Sequence, residues 1–211
     1  MYRPPHFDET EPEAPRALIR AHPLATLVTI NGGQPKAGHL PMLLDADNGG
    51  VLRGHLARAN DQWRYIDPGI DALAIFTGAE GYVSPSWYAT KAETGKVVPT
   101  WNYAAVHVRG PLRVIEDRDW LARFLRRLTE RHEAGGDAPW RVDDAPAGFI
   151  AAQMRGIVGI EISVRSIEGK WKMSQNRPER DRRGVVAGLD RIGTEAAAAL
   201  ARDVARCGGL D

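Results

Sequence analysis

Two stretches of this chain alternate apolar and polar residues with a period of two, and that pattern constrains the fold more than anything else. Val106, Val108, Leu112 and Val114 share one face, with His107, Arg109 and Arg113 on the other. Val158, Ile160, Ile162 and Val164 repeat the pattern against Glu161, Ser163 and Arg165. A period of two places successive side chains on opposite faces of a strand, so both stretches read as half-buried β-strands with one wetted face. Further β-rich runs cover Leu24–Ile30, Ala37–Leu44, Val51–His55 and Ala72–Thr77. Asn31-Gly32-Gly33 between the first two is a strong hairpin signal. Helical spacing appears only in short pieces. One runs from Pro12 to His22 with Leu18 and Ile19 inward; another carries Trp120, Leu121, Phe124, Leu125 and Leu128 behind an Asp117 cap. Phe149, Ile150, Met154 and Ile157 suggest a third after Pro146, and the Ala-rich run Glu195–Arg206 is the fourth. The 22 glycines and 14 prolines are spread along the chain, as many short elements joined by turns require. The expectation is a mainly β, α+β protein: a six- to seven-stranded antiparallel barrel with peripheral helices.

Composition narrows the function classes. With 28 Lys+Arg against 27 Asp+Glu, bulk charge gives no reason to expect nucleic-acid or membrane-surface binding. One cysteine, Cys207, excludes an intrachain disulfide framework and a Cys-rich metal site. No apolar run approaches the roughly 20 residues that span a bilayer, and the acidic, proline-rich start is not a signal peptide. The expected setting is cytoplasmic, without a membrane. No phosphate-loop, dinucleotide, zinc-protease or nucleophile-elbow motif is present. The six histidines show no metal-ligand spacing, so no metal is expected, and no residue stands out as an obligatory catalytic acid or base.

Three segments are polar and aromatic where a plain barrel strand would not be. Gly54 to Trp63 carries His55, Arg58 and Asn60 from a strand end into a helical turn, the donor set that a phosphate needs. A solvated helix start is the plainer reading of the same residues. Tyr82, Trp87, Tyr88, Trp101 and Tyr103 lie within 22 residues of a chain only 7% aromatic. They suit a flat amphipathic ligand such as a flavin or pyridoxal ring, or a subunit interface. Lys170 to Arg177 offers cations with Ser174, Gln175 and Asn176 for phosphate or carbonyl recognition.

In order and spacing, MYRPPHF, GHLPMLLD, GHLARANDQW, YVSPSWY, VPTWNYAAVHVRG and KMSQNR resemble the PaiB-like FMN-binding negative transcriptional regulators, from Met1 to about Leu189. Asp61 stands where that pattern has proline. The resemblance implies a split β-barrel of the flavin-reductase and pyridoxamine-phosphate-oxidase type over residues 1–189, with 190–211 as a helical tail packed on it. It implies a homodimer with FMN in grooves at the subunit interface, acting as a flavin-dependent sensor or transcriptional regulator. On this reading His55, Arg58 and Asn60 hold the phosphate, Lys172, Gln175 and Arg177 reach the ring or phosphate, and Trp101 and Asn102 line the groove. Arg58 is expected to matter more than Arg177, and Trp87 and Trp101 are expected in the dimer interface. The alternatives are a flavin reductase or oxidase, an apo DNA-binding repressor and a haem-binding relative. No helix-turn-helix is visible. The basic run Arg177, Arg180, Arg182 and Arg183 is interleaved with Glu179 and Asp181, which leaves only weak support for DNA as a partner.

Overall fold

The computed structural model describes residues 1–45, 50–64 and 66–210. The chain divides into two compact units. Unit 1 comprises Met1–Leu18, Phe76–His107 and Glu168–Asp211; unit 2 comprises Ile19–Ile75 and Val108–Ile167. These units follow other lines than a 1–189 barrel and a 190–211 tail, and Asp211 itself lies outside the described residues. The strands are β1 (Asp8–Glu9), β2 (Leu24–Asn31), β3 (Gln34–Pro41), β4 (Leu43–Asp45), β5 (Val51–Ala57), β6 (Ala72–Val83), β7 (Thr100–Gly110), β8 (Leu112–Ile115), β9 (Ile157–Ser163) and β10 (Ser166–Lys172). The helices are α1 (Glu13–Ala21), α2 (Thr90–Thr94), α3 (Arg118–Glu133), α4 (Ala147–Arg155), α5 (Glu179–Asp190) and α6 (Glu195–Gly208). The mixed α+β class with two antiparallel sheets is present.

In unit 2, one sheet runs β4-β5-β9-β8, and the first residues of β6 pair with β2, which pairs with β3. Leu52, Val158, Ile160 and Ile162 are fully buried, as the alternation requires. The β2–β3 hairpin turns at Gly32 and Gly33, both at positive φ, and both amides donate to the Asp67 carboxylate at 2.9 and 2.8 Å. A turn with two left-handed residues suits the twist of its flanking strands, and glycine takes it without a Cβ clash. Asp117 caps α3 by accepting from the Trp120 amide at 2.6 Å.

Several details depart from the sequence reading. Pro111 has no amide donor and splits the Val106–Val114 alternation into β7 and β8; Met42 likewise separates β3 from β4. With the short β1 and with β10, ten strands stand among the described residues where six or seven were expected. The helix expected after Pro146 is α4, on which Phe149 is 55% exposed. Glu161, expected on a wetted face, is only 3% exposed.

In unit 1 the strand order is β1-β10-β7-β6, and α5 and α6 pack on each other. Helix α5 carries the arginine run that reads as a loop in sequence, because Glu179, Arg180 and Asp181 form its polar first turn. Its glycines meet Trp87: a Cβ at Gly184 would sit 1.9 Å from the Trp87 carbonyl oxygen, and one at Gly188 would sit 2.3 Å from the indole ring. Helix propensity alone favours Ala over Gly by about 1 kcal/mol. Gly184→Ala is nevertheless expected to destabilise by about 1–3 kcal/mol, because the backbone contact cannot open cheaply. Thermal melting checks this, and a raised midpoint would contradict it.

Candidate functional site

The predicted site residues fall on both units. His55, Arg58 and Asn60 lie in unit 2; Trp101, Asn102, Lys172, Gln175 and Arg177 lie in unit 1.

In unit 2 the side chains of the segment after β5 are taken up by its own turn and by neighbouring elements. The helical turn is a three-residue 3-10 turn, Asp61–Trp63, too short to present the N-terminal field of a helix. Asn60 Oδ1 caps it by accepting from the Gln62 amide at 2.9 Å. Gln62 turns inward: its Nε2 donates to the Leu27 carbonyl at 3.1 Å and its carbonyl accepts from Asn31 Nδ2 at 3.0 Å. Gly38 makes room for that side chain, since a Cβ there would sit 2.4 Å from Gln62 Oε1. Asp61, in the place of the expected proline, pairs with Lys36 at 2.5 Å. Arg58 donates through Nη1 to Glu116 at 2.5 Å and through Nε to the Arg155 carbonyl at 3.2 Å, and it lies over the Trp63 ring. The guanidinium expected to meet a phosphate therefore already has an anionic partner. The strings GHL and ARAN-x-QW read here as a hydrogen-bonded joint between β2, β3 and the end of β5.

His55 is half-buried on β5, edge-on to Phe124 of α3 with ring centroids 5.9 Å apart, and its Nδ1 has no hydrogen-bond partner. Burial pushes its pKa below the ordinary histidine value. The unfolded chain then binds the proton more readily than the folded one. His55 accordingly contributes full stability above about pH 6.5, and that contribution falls as pH drops towards the lowered folded pKa. Urea titrations from pH 7.5 to 5 should show stability falling in wild type and a shallower fall in His55→Phe. Parallel profiles would contradict this.

Unit 1 holds a small open groove of about 140 Å³ between the β6–β7 connection and the turn after β10. Thr100, Asn102, Lys172, Ser174 and Arg177 line it, with the Tyr88 ring as one wall. Lys172 is the last residue of β10; its ammonium donates to Thr100 Oγ1 at 2.5 Å and to the Trp101 carbonyl at 2.8 Å. Burial, the leading cause, and the neighbouring Lys170 charge hold its pKa below the ordinary lysine value, against the Tyr103 phenol, which acts to raise it. The chain then turns at Ser174, a non-glycine residue at φ +63°. Such a conformation is uncommon outside glycine and is held here by neighbours. Gln175 ties the turn by accepting from the Met173 amide at 2.7 Å and donating to the Trp171 carbonyl at 2.6 Å. The Ser174 hydroxyl pairs with the fully buried Asn102 carboxamide at 3.0 Å. Arg177, whose amide donates to the Ser174 carbonyl, lies 4.8 Å over the Tyr88 ring.

Tyr88 is 3% exposed, and its hydroxyl faces Ser174 and Arg177 without a hydrogen bond of good geometry. Burial, the leading cause, raises its pKa above the ordinary tyrosine value, so the phenol stays a proton donor. No carboxylate pairs with Lys172 or Arg177 among the described residues, and no acidic side chain lines the groove.

Asn102, Lys172 and Arg177 thus come together as expected from the sequence. Gln175 serves the turn instead of facing the groove. Trp101 contributes its carbonyl, while its indole, 47% exposed, donates to Glu80 at 2.5 Å and meets Tyr82 edge-on at 6.3 Å. Tyr88 and Ser174, noted in sequence within the aromatic cluster and the Lys170–Arg177 segment, were not among the residues assigned to the cofactor. Tyr88 was visible in sequence only as one of five clustered aromatics, and a left-handed serine leaves no sequence signal.

Among the described residues no group of three His, Cys, Asp or Glu side chains is placed to hold a metal ion, and no helix is long and apolar enough to cross a membrane. Cys207 is partly buried, which pushes its thiol pKa up to about 11, far from a reactive thiolate.

Comparison with known proteins bears on this geometry. A family model described as "Putative FMN-binding domain" matches residues 1–166, ending at the first residue of β10. Protease synthase and sporulation protein PAI 2 of Bacillus subtilis is 36% identical over 190 residues, covering 90% of this chain and 89% of that protein. An uncharacterized protein of Emericella nidulans is 34% identical over 230 residues, 92% of each chain. The flavocytochrome Anf3 of Azotobacter vinelandii shares the fold with a TM-score of 0.59 at 17% identity, over 78% of this chain and 69% of that one.

Proposed function

The chain belongs to the FMN-binding domain family, and from that premise we propose that it is an FMN-binding homodimer acting as a flavin-dependent sensor or transcriptional regulator. The observation that carries the reading is the unit 1 groove, where two cations that pair with no carboxylate among the described residues adjoin a buried hydroxyl that makes no hydrogen bond of good geometry with them. These residues fit an anionic, oxygen-rich portion of FMN. A volume of about 140 Å³ is well below the roughly 300 Å³ of ordinary ligand sites, so the groove could hold only the anionic end of the cofactor and not its isoalloxazine ring. Lys172 and Arg177 would bind the cofactor's anionic oxygens, with Asn102 and Ser174 fixing the turn that carries them. Bound FMN would supply hydride exchange, while the protein supplies position and electrostatics. His55, Arg58 and Asn60 would serve the same cofactor only if Arg58 exchanged Glu116 for it.

Tyr82, Val98 and Trp101 in unit 1 are each at least 47% exposed, and such aromatic surface suits a second copy of the chain. Sedimentation at micromolar concentration should give a dimer; a monomer would contradict the dimer reading. DNA contact through α5 has little support. Arg180 pairs with Glu93 at 2.8 Å and Arg183 with Glu179 at 2.7 Å, while Arg182 lies 3.5 Å from the Gln175 carbonyl. Few cations remain for phosphates, and a shallow salt slope would follow.

Absorbance spectra of the protein reconstituted with FMN, followed by anaerobic NAD(P)H, test the function. A bound-flavin spectrum that bleaches slowly is expected of a sensor. Rapid bleaching would favour a flavin reductase, and a Soret band in place of the flavin bands would favour haem.

A further inference from the structure

We infer that the unit 1 groove is a phosphate-monoester site in which the Tyr88 hydroxyl is a third ligand beside Lys172 and Arg177. The inference rests on the FMN reading and sharpens it, since it assigns the cofactor's phosphate to these three residues and not to Arg58.

Three independent features of the groove converge on an oxyanion. The first is charge without compensation. Among the described residues the ion pairs of α5 and β10 join Arg180 to Glu93, Arg183 to Glu179 and Glu168 to the N-terminus, and none includes Lys172 or Arg177. The Lys172 ammonium has two neutral oxygen acceptors and can donate to a third, and the Arg177 guanidinium lies over the Tyr88 ring beside its hydroxyl. The second is the orphaned donor. A hydroxyl on a residue 3% exposed normally has a partner, and among the described residues the Tyr88 hydroxyl has none of good geometry, with only Ser174 and Arg177 beside it. An anionic oxygen accepting from it satisfies the phenol, which burial keeps protonated. The third is size and composition. About 140 Å³ admits a tetrahedral oxyanion and not a tricyclic ring, and the rest of the lining combines the hydroxyls and amides of Thr100, Asn102, Ser174 and Asn176 with apolar Phe7, Val98 and Pro99, without any acid.

Arg58 compares poorly on each count. It is paired at 2.5 Å with Glu116, and the turn beside it is a single 3-10 turn. The left-handed Ser174 fits the same assignment: it bends the chain so that Lys172 before it and Arg177 after it line one groove.

A phosphate monoester could belong to FMN or to another nucleotide such as a nicotinamide dinucleotide phosphate. Fluorescence-quenching titrations with FMN and riboflavin separate these sources, because the two flavins differ only in the phosphate. They are run on wild type, Tyr88→Phe and Arg177→Ala, with thermal melts to confirm folding. Wild type should prefer FMN over riboflavin by about thirtyfold or more, and inorganic phosphate should compete with FMN but not with riboflavin. Tyr88→Phe, which keeps the ring that supports Arg177, should cut that preference about three- to tenfold with riboflavin affinity unchanged. An unaltered preference in a folded Tyr88→Phe protein would overturn the role of Tyr88. If neither flavin binds, the FMN reading fails, and calorimetric titration with inorganic phosphate alone decides the site. Saturable binding lost in Arg177→Ala would uphold a phosphate site for another nucleotide; no binding to wild type would overturn it.

Discussion

Arg177→Ala is expected to weaken FMN binding by about ten- to a hundredfold, the equivalent of roughly 1.5–3 kcal/mol for a charge-assisted contact. Arg58→Ala is expected to change it by less than about threefold. The order reverses the one drawn from sequence, where Arg58 looks better placed because it follows a strand end and precedes a helical turn. Two facts reverse it. Glu116, 58 residues away in sequence, pairs with Arg58 at 2.5 Å. The turn that should supply a dipole is three residues long. Arg177 pairs with no carboxylate among the described residues and lines the groove. Equilibrium titration of both variants checks the order, and a larger loss in Arg58→Ala would return the phosphate to unit 2.

Glu161→Gln is expected to destabilise the protein by about 3 kcal/mol, since removing a buried charge leaves its partners uncompensated. For a chain of this size that corresponds to roughly 6–12 °C in melting temperature. Glu161 is the buried hub of unit 2. Its Oε1 accepts from Arg53 Nε at 2.7 Å and from Trp120 Nε1 at 3.0 Å, and its Oε2 accepts from Arg113 Nε at 2.7 Å. Arg53 also pairs with Asp45, which Arg127 contacts at 3.0 Å. The hub joins α3 to the outer face of β5, β8 and β9, and the Trp120 ring there fits only because residue 159 is glycine. Burial raises the Glu161 pKa, but the hydrogen bonds from Arg53, Arg113 and Trp120 outweigh it, so the pKa is lowered overall. The folded state then binds the proton less readily than the unfolded one. The contribution is present above about pH 4.3 and is lost as pH falls through the lowered value. Arg113, whose side chain is 68% exposed, should matter less, and Arg113→Ala is expected to cost under about 1 kcal/mol. A Glu161→Gln melt within about 1 °C of wild type would contradict the hub.

What the sequence disclosed follows from which interactions are local. The β2–β3 hairpin, the Asp117 cap and the buried face of β9 depend on residues adjacent or two apart, and all three were legible. Glu161 was misread because alternation assigns a polar residue to the solvent face, whereas α3 covers that face and supplies its donors from residue 120. Helix α5 was missed because its first turn is all charge and its interior holds Gly184 and Gly188, which read as breakers until Trp87 is seen above them. The groove was half legible. Lys172, Arg177 and Asn102 stand out as polar residues beside aromatics, but their meeting depends on a left-handed serine and on a contact between positions 102 and 174. Gln175 shows the converse: its side chain looks like a ligand donor and instead closes the turn.

The most direct test is a fluorescence titration of FMN with the wild-type protein near neutral pH, read as flavin quenching against chain concentration. Saturable quenching at one FMN per chain, with a dissociation constant of about a micromolar or tighter, is the expected result. Flavin fluorescence unchanged up to hundreds of micromolar folded protein would contradict the account.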